Sequence, residues 1–122
     1  LCHKQRAKAN VVESMKIIGD VQGKNVIILD DMVDTAGTIT KAADLMIENG
    51  ALSVRAFASH GVLSDPATER IEKSQLTAIY FTDSIPLRKE SEKIKVLSVA
   101  DLIANTIINV NTNKSISSSY LV

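Results

Sequence analysis

Three apolar runs, separated by stretches with helical periodicity, constrain the fold of this chain more than any other feature. The runs are NVIILD at residues 25–30, SVRAFAS at 53–59 and TAIYFTD at 77–83. Strands that alternate with helices form a mostly parallel sheet through right-handed crossovers. The alternation therefore predicts an α/β fold. The continuous apolar run at 25–30 is typical of a strand that is buried on both faces.

The helices are predicted between and after these strands. Residues 38–49 carry apolar side chains at helical spacing and end before Gly50, a typical C-cap residue. Residues 65–74 predict a short helix with Pro66 in its first turn. Residues 11–18 predict a short strand, which we expect to add an antiparallel edge to the sheet.

A last helix is predicted over residues 98–110. Ser98 and Asp101 have the spacing of a capping box, with Asp in place of the usual Glu or Gln. One stripe at helical spacing is apolar except for a threonine: Val99, Leu102, Ile103, Thr106, Ile107 and Val110. This stripe predicts that the helix is amphipathic.

The totals exclude several function classes. With 122 residues, 45% of them hydrophobic, the chain suits one globular domain with its own core. A formal net charge of zero argues against a broad nucleic-acid or membrane-binding surface, although it leaves room for a local phosphate site. The single cysteine, Cys2, excludes an internal disulfide and favours a cytoplasmic, reducing compartment. Residues 1–11 have no secretory pattern and no initiator Met, so we expect a fragment of a larger chain.

Small polar residues follow the first predicted strand and cover the start of the next helix. A helix N-terminus presents unpaired N–H groups and a partial positive charge, which favour a phosphate. Gly37 permits close approach or a positive φ, and Ala36 is small enough not to block the approach. Thr35 and Thr38 add hydroxyl donors, and Asp34 can orient the loop through backbone N–H groups. The turn predicts a phosphate site.

Two acids, Asp30 and Asp31, come directly after the apolar residues 26–29, at the end of a strand where open α/β sheets bind ligands. Carboxylates accept hydrogen bonds from vicinal hydroxyls, and they also suit a magnesium ion. The alternative is that the acids only end a strand and that Asp34 or Thr35 caps the helix. Taken together, the acids and the turn predict a sugar-phosphate site.

The run VIILDDMVDTAGT resembles the phosphoribosyl-diphosphate (PRPP) motif of type I phosphoribosyltransferases and their relatives. The flanking text resembles, more specifically, the C-terminal half of the ribose-phosphate pyrophosphokinase (PRPP synthetase) family: HKQRAKANVVESMKIIGDVQGK, AADLMIENGA, SHGVLSDPATERI, FTDSIPL and LSVADLIANTI. The resemblance covers nearly all of the chain. It implies a three-layer phosphoribosyltransferase-like fold with a mostly parallel sheet, in which residues 1–122 form the C-terminal domain. Residues 1–12 would be a catalytic flexible loop and 111–122 a C-terminal tail.

The resemblance also implies a reaction. The full-length enzyme would transfer the diphosphoryl group of ATP to ribose 5-phosphate, giving PRPP and AMP for nucleotide biosynthesis, with Mg²⁺ as cofactor. Asp30 and Asp31 would hold ribose hydroxyls and, through the substrate, the metal, while residues 34–38 would hold the 5-phosphate. The missing N-terminal domain would supply most adenine and metal contacts, so we expect the fragment alone to be nearly inactive. Family members form dimers or hexamers, so a homo-oligomer is expected, with neither a nucleic-acid nor a membrane partner.

The basic segment HKQRAKAN has two interpretations. From the residues alone it is a solvated charged stretch, as basic runs usually are. The resemblance instead implies the Lys-x-Arg loop of the family, with Lys4 and Arg6 as catalytic residues that close over the ATP phosphates. Gln5 stands where many members carry another basic residue.

The tail also has two interpretations. The serine-rich end of the chain is either a frayed terminus or, by resemblance, part of an allosteric nucleotide site between subunits. Ser115, Ser117 and Tyr120 match that family segment best, although the usual aromatic is Phe rather than Tyr.

Two rival functions stay open. A phosphoribosyltransferase would use PRPP instead of making it, but it would carry a base-binding loop that is absent here and would lack the Lys-x-Arg pattern. A non-catalytic, synthetase-like regulatory subunit is the other rival. The presence of Lys4, Arg6 and the paired acids speaks against it.

Overall fold

The computed structural model describes the backbone of residues 2–8 and 11–117, and the side chains of residue 15 and residues 17–117. Strands and helices alternate after an initial pair of strands. In chain order the elements are β1 (Cys2–Lys8), β2 (Val11–Ile17), β3 (Asn25–Val33), α1 (Gly37–Glu48), β4 (Ser53–Gly61), α2 (Ala67–Lys73), β5 (Ala78–Thr82), β6 (Ile94–Leu97) and α3 (Ala100–Asn111).

The main sheet has four parallel strands in the order β3, β4, β5, β6, which confirms the α/β prediction. In one row across the sheet, Leu29 lies opposite Phe57 and Phe57 opposite Tyr80. The rings of Phe57 and Tyr80 are stacked, with centroids 4.5 Å apart. Because all four strands run the same way, their carboxyl ends meet at one edge, where ligands bind in such sheets.

The core lies between the sheet and the helices α1 and α2. The four largest of its fully buried side chains are Val54, Ile71, Leu76 and Ile79. Burying each such side chain stabilises the fold by about 1.5–3 kcal/mol. Alternate residues of β4 and β5 point into this core, which fixes the register of both strands. The fixed register determines where each strand delivers its last residues to the site.

The prediction that residues 25–30 are buried on both faces is wrong. Ile27 is 61% exposed and Leu29 is 78% exposed, whereas Val26 and Ile28 are half-buried. Within the described residues β3 pairs with β4 alone and forms an edge of the sheet. The strand also continues to Val33, beyond the predicted end. The two acids therefore lie within the strand rather than after it.

The first two strands form a separate antiparallel pair. The strand predicted at 11–18 is present as β2, but its partner is β1 and not the main sheet. Cys2–Lys8 is a strand in the structure, in contrast to the loop expected over residues 1–12, because pairing with β2 satisfies its backbone groups. Lys4 lies opposite Met15 and Arg6 opposite Val12, and the register is irregular on both sides of Arg6.

The last two elements differ from the prediction in detail. Strand β6 was missed because its four residues, IKVL, follow a charged stretch. The predicted capping box is also wrong: Ser98 donates from Oγ to Asp83, and the Val99 N–H donates to Asp83 Oδ1 at 3.0 Å. These hydrogen bonds lower the pKa of Asp83, and the one from Ser98 has the larger effect. The residues before α3 are therefore held by the carboxylate of Asp83, which lies on the loop after β5.

None of the residues of α3 is buried. Among the described residues, no helix is both long enough and apolar enough to cross a membrane.

Candidate functional site

A cleft of about 870 Å³ opens beside the end of β3, the start of α1 and one side of α2. All seven residues that the sequence predicts for sugar-phosphate binding line it: Asp30, Asp31, Asp34, Thr35, Ala36, Gly37 and Thr38. Helix residues complete the wall: Lys41, Asp44, Glu69, Arg70 and Lys73 are among them. The structure thus brings the predicted acids and the predicted phosphate turn to one space.

The turn at residues 34–38, called the 34–38 turn below, takes its shape from Ala36. This residue has φ 58° and ψ 2°, in the left-handed region, although it is not a glycine. The residue is 3% exposed and belongs to the core. The left-handed conformation costs about 1–2 kcal/mol for such a residue, and the burial of the methyl group offsets part of that cost. Gly37 was expected to permit either a close approach or a positive φ, and the positive φ in this turn belongs to Ala36.

The start of α1 carries no charge that would neutralise the helix dipole. Ala36 is the N-cap residue and has no side-chain oxygen with which to cap the helix, and the first turn of α1 contains no acid. The Thr40 hydroxyl instead donates back to the Ala36 carbonyl at 2.8 Å. The positive end of the helix dipole therefore faces the cleft, where it favours an anion.

The two acids of β3 are exposed and stand on consecutive residues of a strand. Consecutive side chains of a strand point to opposite faces, so Asp30 and Asp31 do not converge on one point as a ready-made pair. Asp30 also accepts a hydrogen bond at Oδ1 from the Asp31 N–H at 2.9 Å. This contact orients the Asp30 carboxylate at the wall of the cleft.

No group of three or more His, Cys, Asp or Glu that could hold a metal ion occurs among the described residues. The two carboxylates are nevertheless the oxygen donors that magnesium prefers. Magnesium commonly keeps waters or substrate oxygens in most of its coordination positions. The donor set therefore fits a metal ion that arrives with substrate phosphates.

Arg70 is the site residue that sequence reasoning missed. Its Nη1 donates to the Thr35 carbonyl oxygen at 3.0 Å, across 35 positions of sequence. The neighbouring acid Glu69 is bound to Lys73, whose hydrogen bond lowers the pKa of Glu69. The only sequence signal was the position of Arg70 on a short predicted helix, which gives no information about what that helix faces.

His60 lies at the end of β4 and takes part in a different cluster. Its Nδ1 is 2.9 Å from Ser84 Oγ, and Thr82 Oγ1 donates to the Ser59 carbonyl at 2.7 Å. His60 is not among the residues that line the cleft. Its contacts tie together the ends of two neighbouring strands.

The remaining predicted residues lie apart from the cleft or outside the described part of the chain. The backbone of Lys4 and Arg6 belongs to β1, but their side chains lie outside the described residues, and so does Tyr120. Ser115 and Ser117 follow α3, are exposed, and contact each other with their hydroxyl oxygens 2.7 Å apart.

Residues 4–122 match a protein family described as the phosphoribosyl synthetase-associated domain. The chain is 59% identical over 120 residues to a ribose-phosphate pyrophosphokinase of Porphyromonas gingivalis, a match that covers 98% of this chain and 38% of the relative. It is 54% identical over 118 residues to a ribose-phosphate pyrophosphokinase of Wolinella succinogenes, with 97% and 38% covered. The chain thus spans less than two fifths of the length of these curated relatives.

A solved structure is also similar. The crystal structure of phosphoribosylpyrophosphate synthetase from Mycobacterium smegmatis matches with a TM-score of 0.79 and 43% identity. The match covers 82% of this chain and 34% of that one. At this identity the likeness extends to sequence as well as fold.

Proposed function

The chain belongs to the phosphoribosyl synthetase-associated domain family, and from this premise we propose that it is the ribose 5-phosphate-binding part of a ribose-phosphate pyrophosphokinase. The full-length enzyme transfers the diphosphoryl group of ATP to ribose 5-phosphate. The C1 oxygen attacks the β-phosphorus, the bond from that phosphorus to the α,β-bridging oxygen breaks, and AMP leaves. The C1 hydroxyl loses its proton, and the product is PRPP.

The observation that carries the proposal is the shared cleft of the acids and the 34–38 turn. The 5-phosphate binds at the start of α1, where backbone N–H groups and the helix dipole favour an anion. Asp30 and Asp31 lie on β3, before the 34–38 turn, and accept hydrogen bonds from ribose hydroxyls. The turn thereby anchors one end of the substrate, and the acids orient the ring whose C1 hydroxyl reacts.

Magnesium is the implied cofactor. Asp30 and Asp31 would hold it through the oxygens of the bound substrate. When bound, the ion neutralises charge on the phosphates that are transferred. The contribution of this chain is to position the nucleophile, and positioning of this kind supplies much of the rate in phosphoryl transfer.

Lys4 and Arg6 are proposed to stabilise the negative charge that develops on the ATP phosphates. Their spacing in the sequence supports this role, because it matches the Lys-x-Arg pattern of the family. The rest of the full-length chain, an N-terminal domain, supplies most adenine contacts. The enzyme is cytoplasmic and homo-oligomeric, and Ser115, Ser117 and Tyr120 contribute to an allosteric nucleotide site between subunits.

The decisive experiment mixes the full-length protein with ATP, magnesium and ribose 5-phosphate and follows the products by phosphorus NMR. The proposal expects PRPP and AMP in equal amounts. Consumption of added PRPP with release of pyrophosphate in the presence of a nucleobase would instead identify a phosphoribosyltransferase. A folded protein that forms neither product would be a non-catalytic subunit.

A variant of the acids tests the assigned roles in the same assay. Asp31→Asn removes the charge while keeping the size of the side chain. Its KM for ribose 5-phosphate is expected to rise about tenfold, as for loss of a charge-assisted hydrogen bond, with a much smaller change for ATP. Equal changes in both values, accompanied by a lower melting temperature, would show that the acid only supports the strand.

A further inference from the structure

We infer that Arg70 is a positioning residue that braces the 34–38 turn in the conformation that binds phosphate. The inference rests on the proposed function of the cleft and adds to it a residue from another element. Arg70 belongs to α2, and its guanidinium reaches across to the turn that precedes α1.

The contact is specific on both sides. Nη1 of Arg70 donates to the Thr35 carbonyl oxygen at 3.0 Å, a normal hydrogen-bond distance. In the described part of the chain no carboxylate forms a salt bridge with Arg70, and the adjacent Glu69 pairs with Lys73. The guanidinium is therefore hydrogen-bonded to the turn, and no salt bridge among the described residues neutralises its charge in the cleft.

Gly37 supplies an independent observation. A Cβ built at Gly37 would lie 3.3 Å from Arg70 Nη1, closer than an ordinary van der Waals contact. The backbone itself does not require glycine here, because the positive φ in this turn belongs to Ala36. A side chain at position 37 would therefore require the Arg70 guanidinium to shift by a few tenths of an ångström.

These contacts give Arg70 two effects on a bound phosphate. Holding the Thr35 carbonyl restrains the peptide group between Thr35 and Ala36, so the turn has less freedom to lose when it binds a ligand. The guanidinium also places a positive charge beside the helix N-terminus, where an anion is already favoured. Both effects act on ribose 5-phosphate and neither acts directly on ATP.

The test compares Arg70→Gln and Arg70→Lys in the full-length enzyme, with Arg88→Gln as the matched control. Arg88 is also exposed, but it does not line the cleft. Arg70→Gln is expected to raise the KM for ribose 5-phosphate about tenfold and that for ATP less than about twofold. Arg70→Lys keeps the charge without the planar fork and should recover about a third of the loss or more. Arg88→Gln should leave both values within about twofold.

A double-mutant cycle separates bracing from a general structural role. Gly37→Ala should shift the guanidinium by a few tenths of an ångström and so weaken its hydrogen bond to the Thr35 carbonyl. Its effect should therefore overlap with that of Arg70→Gln. The double variant is then expected to be no worse than the worse single variant. Effects that multiply, or Arg70→Gln changing the KM values for both substrates equally, would overturn the inference.

The outcome is distinct from failure of the proposed function. If the unmodified protein forms no PRPP, the proposed function is lost, but the Gly37–Arg70 cycle is still measurable in the thermal unfolding midpoint. The same non-additivity is expected there. Independent, additive shifts of the midpoint would overturn the bracing contact itself.

Discussion

At the scale of single residues, Ala36 shows how the core and the site share one position. Its methyl group is buried while its backbone is left-handed, so packing and conformation oppose each other. The conformation costs about 1–2 kcal/mol, and each buried carbon of this kind returns about 0.8 kcal/mol. A larger side chain would raise the cost of the left-handed conformation. It would also be too large for the buried space that the methyl group fills.

Variants at this residue are predicted to behave unequally. Ala36→Gly relieves the strain and loses the methyl group, so stability should change by less than about 1 kcal/mol. Ala36→Val introduces a β-branched side chain at positive φ into a filled space and should cost about 3 kcal/mol or more. Thermal unfolding of the full-length protein measures both. Equal destabilisation by the two variants would show that the left-handed conformation does not limit this position.

At the scale of elements, local patterns were sufficient for α1 and β4. Helix α1 begins and ends within one residue of its prediction, and β4 is two residues longer. Local patterns failed where a distant partner decides the outcome. Strand β6 is too short to show a period, and Asp83 replaces the expected cap of α3 from fifteen residues or more away. The Arg70–Thr35 contact spans 35 residues and has no local signature.

The β1–β2 pair gives the prediction at this scale. Lys4 lies on β1, whose backbone is paired with β2. Lys4→Ala in the full-length enzyme should leave the KM for ribose 5-phosphate nearly unchanged. Turnover should fall by a factor on the order of a hundred, because a charge that stabilises the transition state is lost.

Lys16→Ala is the matched control, since Lys16 is a basic residue of the partner strand, opposite His3. It should retain turnover within a few-fold. Equal turnover in the Lys4 and Lys16 variants would identify Lys4 as a solvated surface charge, and its catalytic role would then be withdrawn.

At the scale of the whole molecule, the described residues leave apolar side chains exposed on β3 and on α3. Ile27 and Leu29 on β3 are exposed, as are Leu102, Ile103 and Ile107 on α3. Single exposed apolar residues are normal, but contiguous apolar faces mark contact surfaces. The curated relatives are more than twice as long as this chain. We therefore expect another part of the full-length protein to cover the exposed face of β3.

Leu29→Lys tests this expectation in the full-length protein. A charge on a covered face should lower the melting temperature by several degrees, because a desolvated lysine costs more than 1 kcal/mol. Leu52→Lys is the matched control, as Leu52 is 70% exposed but lies between α1 and β4, outside strand β3. If both variants melt at the same temperature as the unmodified protein, the face of β3 is open to solvent.

The central claim is that the 34–38 turn binds the phosphate of ribose 5-phosphate, and an NMR titration tests it most directly. In the full-length protein labelled with nitrogen-15 on Gly and Thr, ribose 5-phosphate should shift the amide signals of Thr35, Gly37 and Thr38. Ribose without phosphate should leave them in place. Gly37→Val should abolish the shifts, because its side chain fills the space that the phosphate and Arg70 require. Shifts that cluster elsewhere, with the turn unmoved, would contradict the claim.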